Sequence, residues 1–141
     1  MTNNQRPGLF RILAVMFYDT LILLSILMLA SFIAVLVNKG EAIEQGNLLF
    51  IAYLFVISWL FYCWFWTHGG QTVGMRAWKV SLLSHRGDHV TWRQASLRFI
   101  AAFISWIPAG LGFWWQYLGK KQQSWADILS GTYLQYNKHS K

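Results

Sequence analysis

The chain has 141 residues, of which 55% are hydrophobic and only 12% are charged. Soluble domains average about 25% charged residues, so this composition argues against a soluble protein. The net charge of +7 lies outside the apolar runs, a pattern that suits contact with anionic lipid headgroups. The chain has no basic helix, zinc-finger spacing or RNA-binding aromatic motif, and we therefore expect no nucleic-acid partner.

The first apolar run, residues 12–37, is long enough to cross a bilayer. Asp19 is its only charged side chain. A second apolar run, residues 48–66, ends in an aromatic cluster typical of the membrane interface. The short polar loop between the runs, residues 38–47, predicts an antiparallel pair of transmembrane helices.

A third apolar run, residues 99–118, contains no charge but is interrupted by Pro108, Gly110 and Gly112. Proline and glycine can kink a spanning helix or turn the chain back on itself. The segment is therefore either a re-entrant hairpin, which we favour, or a third span. Residues 93–98 are expected to open the helix that leads into it.

The polar stretches are expected to form a small module on the membrane surface. Residues 77–82 alternate in polarity, a turn follows at residues 85–88, and residues 90–92 could return as a second strand. In the tail, Ser124 and Asp127 have capping-box spacing, and Gly131 suits a helix end. Residues 132–136 are strand-like and could pair with the hairpin of the central loop. The predicted fold is an all-α integral membrane protein, a single domain over residues 1–141 with this β-hairpin and tail module.

Lysine and arginine collect on the cytoplasmic side of membrane proteins. Arg6 and Arg11 precede the first run, and five arginine and lysine residues lie between residues 67 and 98. We therefore predict a multi-pass protein of the bacterial cytoplasmic membrane with a cytoplasmic N-terminus. The four lysines of the tail favour the re-entrant form, which keeps the tail on the same side.

Three motifs in order resemble the RDD family of membrane proteins. An Arg at the start of the first helix and an Asp within it match Arg11 and Asp19, and the Gly-Gln-Thr-x-Gly segment after the second helix matches Gly70, Gln71, Thr72 and Gly74. The family's second Asp matches Asp127. The chain departs from many relatives by having Ile12 in place of a second Arg and Ala126 in place of a His. The resemblance implies an integral membrane protein, with transport often suggested.

Asp19 has two interpretations. A carboxyl group at membrane depth is costly and by default marks a proton or cation site. Alternatively, it fixes the helix bundle by bonding to another segment. The candidate partners are Arg98, which we favour, and Tyr53, Tyr62 or Ser58. Arg11 is about 12 Å along the helix and roughly 80° away around it, so a direct Arg11–Asp19 pair is not expected.

The remaining motif residues are expected to have structural roles. Arg11 would reach the headgroups from the membrane interface, and residues 70–74 would form a tight turn rather than a ligand-binding loop. Asp127 would cap a helix or pair with Arg76 or Arg86. Cys63 would pack as a small hydrophobe. The histidines lack the spacing of a helical metal site, so we expect neither a metal nor a cofactor, and no enzymatic activity.

Two classes of function follow from these observations. The first is a homo-oligomeric, proton-coupled cation transporter that uses Asp19, since two or three helices cannot enclose a path alone. The second is a non-catalytic accessory or scaffold protein that binds anionic lipid or another membrane protein.

Overall fold

A computed structural model describes residues 6–106 and 124–137. The described residues are mostly helical, with one small sheet. In chain order the elements are α1 (Leu9–Val37), α2 (Leu48–Thr67), α3 (Val73–Ala77), β1 (Val80–Ser84), α4 (Trp92–Trp106), α5 (Trp125–Ser130) and β2 (Thr132–Tyr136). The two predicted spans are therefore confirmed as long helices, and α1 begins three residues before the predicted start.

Helices α1 and α2 pack against each other as an antiparallel pair. Tyr53, near the start of α2, donates a hydrogen bond from its hydroxyl to the carbonyl of Ala30, near the end of α1, over 3.2 Å. At the other end of the pair, Asp19 of α1 and Trp66 of α2 line one cavity. Asn47 begins α2 by accepting hydrogen bonds from the first free backbone N–H groups of that helix.

The surfaces of α1 and α2 are apolar and largely uncovered. In the most apolar stretch of each helix, only 6% of the residues of α1 and 11% of those of α2 are buried. The core helix of a soluble protein would be mostly buried, whereas Met28 and Val37 are 68% and 81% exposed. Apolar surface of this extent requires an apolar environment, as lipid provides.

Four of the elements that follow α2 form what we call the surface module: α3, β1, α5 and β2. Strand β1 pairs antiparallel with β2, with Leu82 opposite Leu134. The prediction that tail residues 132–136 join the central loop is confirmed. The prediction of a return strand at residues 90–92 is wrong, because α4 begins at Trp92. Thr91 and Gln94 exchange hydrogen bonds between side chain and backbone, and this capping box starts the helix.

The third apolar run begins inside α4, as expected. The helix carries the run as far as Trp106. Pro108 and the two glycines lie outside the described residues, so the choice between a re-entrant hairpin and a third span stays a prediction.

The predicted cap of the tail helix is confirmed. Ser124 Oγ accepts the N–H of Asp127 over 3.3 Å, while the Asp127 carboxylate accepts the N–H of Ser124 over 3.2 Å. Gly131 adopts the left-handed conformation, with φ of 64°, and ends the helix. The turn aligns β2 beside β1.

A cluster of buried hydrophobic residues lies where the helices meet the surface module. Cys63 is fully buried there, as expected of a small hydrophobic side chain, with its sulfur 3.9 Å from Ser96 Oγ. The cluster draws residues from α1, α2, α3, β1, the loop before α4, and α4 itself: Val15, Cys63, Trp66, Met75, Val80, Leu82, Val90, Ala95 and Phe99. The module is therefore packed onto one end of the helix pair.

Candidate functional site

Asp19 joins α1 to the surface module through two hydrogen bonds. Its Oδ2 accepts the hydroxyl of Thr72 over 2.5 Å, and its Oδ1 accepts the backbone N–H of Gly74 over 2.9 Å. The side chain is buried, with 3% of the residue exposed. Both oxygens are thus engaged by neutral donors from the segment that follows α2. We call this contact the Asp19 anchor.

Thr72 and Gly74 are suited to the anchor by their size and chemistry. Thr72 is the N-cap of α3, and its Oγ1 accepts the N–H of Met75 over 3.2 Å while its proton goes to Asp19. At Gly74 a Cβ would lie 2.7 Å from the Val15 carbonyl oxygen and 2.8 Å from Asp19 Oδ1. Only glycine lets the α3 backbone approach α1 this closely.

Gly70 and Gln71 hold the same segment against β1. Gly70 has φ of 65°, its carbonyl accepts the N–H of Leu82 over 2.7 Å, and a Cβ there would lie 2.7 Å from the Leu82 carbonyl oxygen. The amide nitrogen of Gln71 donates to the Val80 carbonyl over 2.9 Å and to Ser81 Oγ over 2.7 Å. Each side chain or glycine of the Gly-Gln-Thr-x-Gly motif therefore has a contact that fixes the module.

Arg98 and Asp127 form a buried ion pair. The Arg98 guanidinium is 2.6 Å from Asp127 Oδ1, and the same nitrogen donates to Thr132 Oγ1 over 3.1 Å. Arg98 is 7% exposed and Asp127 3%. The pair links α4 to α5 and to the start of β2.

This pair corrects two predictions about charged partners. Arg98 was expected beside Asp19, but it lies on the part of α4 that packs against α5, and two donors from the motif already occupy the Asp19 carboxylate. Asp127 was expected to cap a helix or to pair with Arg76 or Arg86. It does cap α5, but its arginine partner is Arg98, and Arg76 and Arg86 are exposed. Arg98 and Asp127 thus pair with each other rather than with the partners expected for them.

Arg11 contacts the tail strand. Its guanidinium carbon is 3.7 Å from the centroid of the Tyr136 ring, which is cation–π geometry. Arg11 and Asp19 thus have separate partners, as their spacing on α1 predicted. The three charged positions of the family motif, Arg11, Asp19 and Asp127, each take part in a contact that ties the surface module to a helix.

Neither tyrosine expected beside Asp19 bonds to it in the described part of the chain. Tyr53 donates to Ala30, and Ser58 donates to the Leu54 carbonyl in its own helix. Tyr62 packs its ring on Trp66, with centroids 5.2 Å apart. Tyr62 and Ser58 do, however, line the same cavity as Asp19.

That cavity has a volume of about 340 Å³ and lies between α1, α2, α4 and the surface module. Its wall is mainly apolar, with Asp19 and Arg98 as its charged residues among those described. No three His, Cys, Asp or Glu side chains of residues 6–106 and 124–137 lie close enough together to hold a metal ion.

Sequence reasoning missed the partners of Asp19, Arg11 and Arg98. A signal for the first was present, because threonine is a favoured N-cap and the first backbone N–H groups of a helix have no partner within it. No pattern pointed to Tyr136 as the partner of Arg11 or to Asp127 as that of Arg98.

The chain belongs to the RDD family, whose model matches residues 6–131. Together with the two long apolar helices, this membership indicates a membrane protein. Comparison with curated proteins and with solved structures gave no match.

Proposed function

We propose that this RDD-family membrane protein is a non-catalytic accessory protein that binds anionic lipid headgroups through its surface module. The observation that supports this most is the distribution of charge on the described residues. Arg76, Lys79, Arg86 and Arg93 are all exposed and lie at the end of the helix pair that carries the module. The loop at the opposite end holds Lys39, Glu41 and Glu44 and is slightly acidic.

The same asymmetry supports an orientation. Basic residues near the ends of spanning helices favour the cytoplasmic side. We therefore place the module and the N-terminus in the cytoplasm and the 38–47 loop outside, in the bacterial inner membrane. After Cys63→Ser, a cysteine at Asp88 should resist a membrane-impermeant thiol reagent in intact cells, whereas one at Glu44 should react. Labelling at position 88 together with protection at position 44 would show the opposite orientation.

The position of Asp19 supports an accessory role over a transport role. The part of α1 from Thr20 to Val37 is roughly 27 Å long at 1.5 Å per residue, close to a hydrocarbon core of about 30 Å. Asp19 then lies at the edge of that core, beside the module to which it bonds. A carboxylate there, with both oxygens hydrogen-bonded, serves to hold the module.

Lipid selectivity tests the proposal directly. Near an anionic surface each Lys or Arg contributes about 1 kcal/mol, so three neutralised charges should weaken headgroup binding strongly. We would reconstitute the protein in nanodiscs of mixed phosphatidylglycerol and phosphatidylcholine and count the retained lipids by native mass spectrometry. The triple variant Arg76→Gln, Lys79→Gln and Arg86→Gln should lose the preference for the anionic lipid.

The matched control is Lys39→Gln, which removes a cation from the opposite loop and should leave the preference intact. Equal lipid selectivity in wild type and the triple variant would overturn the headgroup role. If the basic residues then cross-link to an acidic segment of another membrane protein, the module binds a protein instead.

A second candidate is proton-coupled cation transport, because Asp19 lines a cavity between the helices. It is the only acidic residue of α1 and α2, so this candidate needs a homo-oligomer in which a second copy supplies another carboxylate. Liposomes loaded with a pH dye would be exposed to external Na⁺, Li⁺ or K⁺. Cation-driven proton movement that is lost in Asp19→Asn would favour transport and overturn the non-transporting role.

A further inference from the structure

The cavity beside Asp19 has the size of a small-molecule site. Its volume of about 340 Å³ falls within the range of roughly 300–1,000 Å³ that ligand pockets occupy. Such pockets are mostly apolar, with few polar groups that fix the orientation of the ligand. Arg76, Lys79 and Arg86 do not line this cavity, so a ligand in it would be independent of the proposed headgroup binding.

The charge in the cavity wall is not balanced within the described residues. The Asp19 carboxylate accepts its hydrogen bonds from a hydroxyl and a backbone N–H, neither of which carries a charge. Arg98, the other charged residue of the wall, has its charge neutralised by Asp127 at 2.6 Å. A buried carboxylate is costly unless a cation accompanies it. The cavity therefore favours a positively charged occupant.

Aromatic rings form much of the remaining wall. They contact one another in series, with centroids 5.2 to 6.0 Å apart. Along the series the rings are Trp66, Tyr62, Phe99, Phe55 and Phe103, and all five line the cavity. Aromatic faces attract organic cations, and a set of such rings is a recurrent way to bind quaternary ammonium groups.

From these observations we infer that the cavity binds an amphipathic organic cation, with its positive centre beside Asp19 and its apolar body against the aromatic series. A small inorganic ion would leave most of the apolar volume unfilled, and a neutral lipid chain would leave the carboxylate without a counter-charge. The ligand class is therefore a lipophilic onium or amine.

The test uses full-length protein in nanodiscs and radiolabelled tetraphenylphosphonium, with triphenylphosphine oxide as an uncharged analogue of similar shape. Wild type should bind the cation above the level of empty nanodiscs and should not bind the neutral analogue. Asp19→Asn removes the charge but keeps the anchor, since the asparagine oxygen can accept from Gly74 and its amide can donate to Thr72. It should weaken binding by at least about tenfold, which corresponds to 1.4 kcal/mol.

A second variant, Ala102→Phe, fills the cavity and leaves the carboxylate in place, because Ala102 lines the wall from α4. It should also abolish binding. Asp88→Asn, which removes an exposed carboxylate from a turn outside the cavity, should bind as wild type does. Equal affinity in wild type and Asp19→Asn, equal binding of the neutral analogue, or full binding by Ala102→Phe would each overturn the inference.

Discussion

Gly74→Ala tests how closely the surface module is seated on α1. The added Cβ would lie 2.7 Å from the Val15 carbonyl oxygen and 2.8 Å from Asp19 Oδ1. The carbonyl belongs to the backbone of a long helix and cannot rotate away, so α3 must move outward. That movement stretches the hydrogen bond from the Gly74 N–H to the carboxylate, which is 2.9 Å long.

The expected cost has two parts. Overpacking costs roughly 1–3 kcal/mol, and a hydrogen bond to a charged group is worth roughly 1.5–3 kcal/mol. We therefore expect Gly74→Ala to lower the free energy of unfolding by roughly 2.5–6 kcal/mol if the hydrogen bond is lost, and by roughly 1–3 kcal/mol if it survives. The measurement is unfolding by steric trapping in micelles, with the tags on α1 and on the module.

Gly8→Ala is the matched control. Nothing lies within 4 Å of a Cβ at that position, and the residue is the N-cap of α1, so its cost should stay below about 1 kcal/mol. If Gly74→Ala were no more destabilising than Gly8→Ala, the close approach of α3 to α1 would be refuted.

Three further predictions concern the other contacts of the module. Asp127→Leu should destabilise the protein by roughly 3–5 kcal/mol because it leaves the Arg98 charge buried and unpaired, and adding Arg98→Met should recover most of that loss in the same unfolding assay. Gly70→Ala should lower the free energy of unfolding by roughly 2–5 kcal/mol, because the left-handed backbone and the close carbonyl both oppose a Cβ. A change near zero would refute the strained turn. Tyr136→Leu should lower the free energy of unfolding by about 0.5–2 kcal/mol. If the two residues act as a pair, Tyr136→Leu should have no further effect in an Arg11→Leu background.

The membrane helices could be predicted because their signal is local. Long uncharged runs flanked by polar turns have few alternatives to a spanning helix, and α1 and α2 lie where hydropathy places them. The cap of α5 could be predicted for the same reason, since Ser124 and Asp127 are only three residues apart. At residues 90–92 the strand-like side chains predicted a strand. The spacing of Thr91 and Gln94 is that of a capping box, and a helix begins there instead.

The partners of the buried charges could not be predicted, since they are distant in sequence. Asp19 and Thr72 are 53 residues apart, and Arg98 and Asp127 are 29 apart. Which charges meet is decided by how α4 and α5 pack, and no local spacing encodes that packing. A single acidic residue in an apolar run therefore indicated a buried contact but not the donor that satisfies it.

The contacts together give the family motif a physical interpretation. The charged and glycine positions of the motif lie at one end of the helix pair, where they join the two apolar helices to the surface module. Loss of any one contact would loosen the module without preventing the helices from inserting. Substitutions at these contacts should therefore change the stability of the surface module while the two long helices stay in the membrane.

The measurement that tests the Asp19 anchor most directly is hydrogen–deuterium exchange in nanodiscs for wild type, Asp19→Ala and Asp19→Asn. The anchor predicts that Asp19→Ala speeds exchange across residues 70–84, including the amides of Gly74 and Leu82, while the spans of α1 and α2 stay protected. Asp19→Asn should stay close to wild type because its oxygen can accept from the Gly74 N–H and its amide can donate to Thr72 Oγ1. Unchanged protection of residues 70–84 in Asp19→Ala would contradict the account.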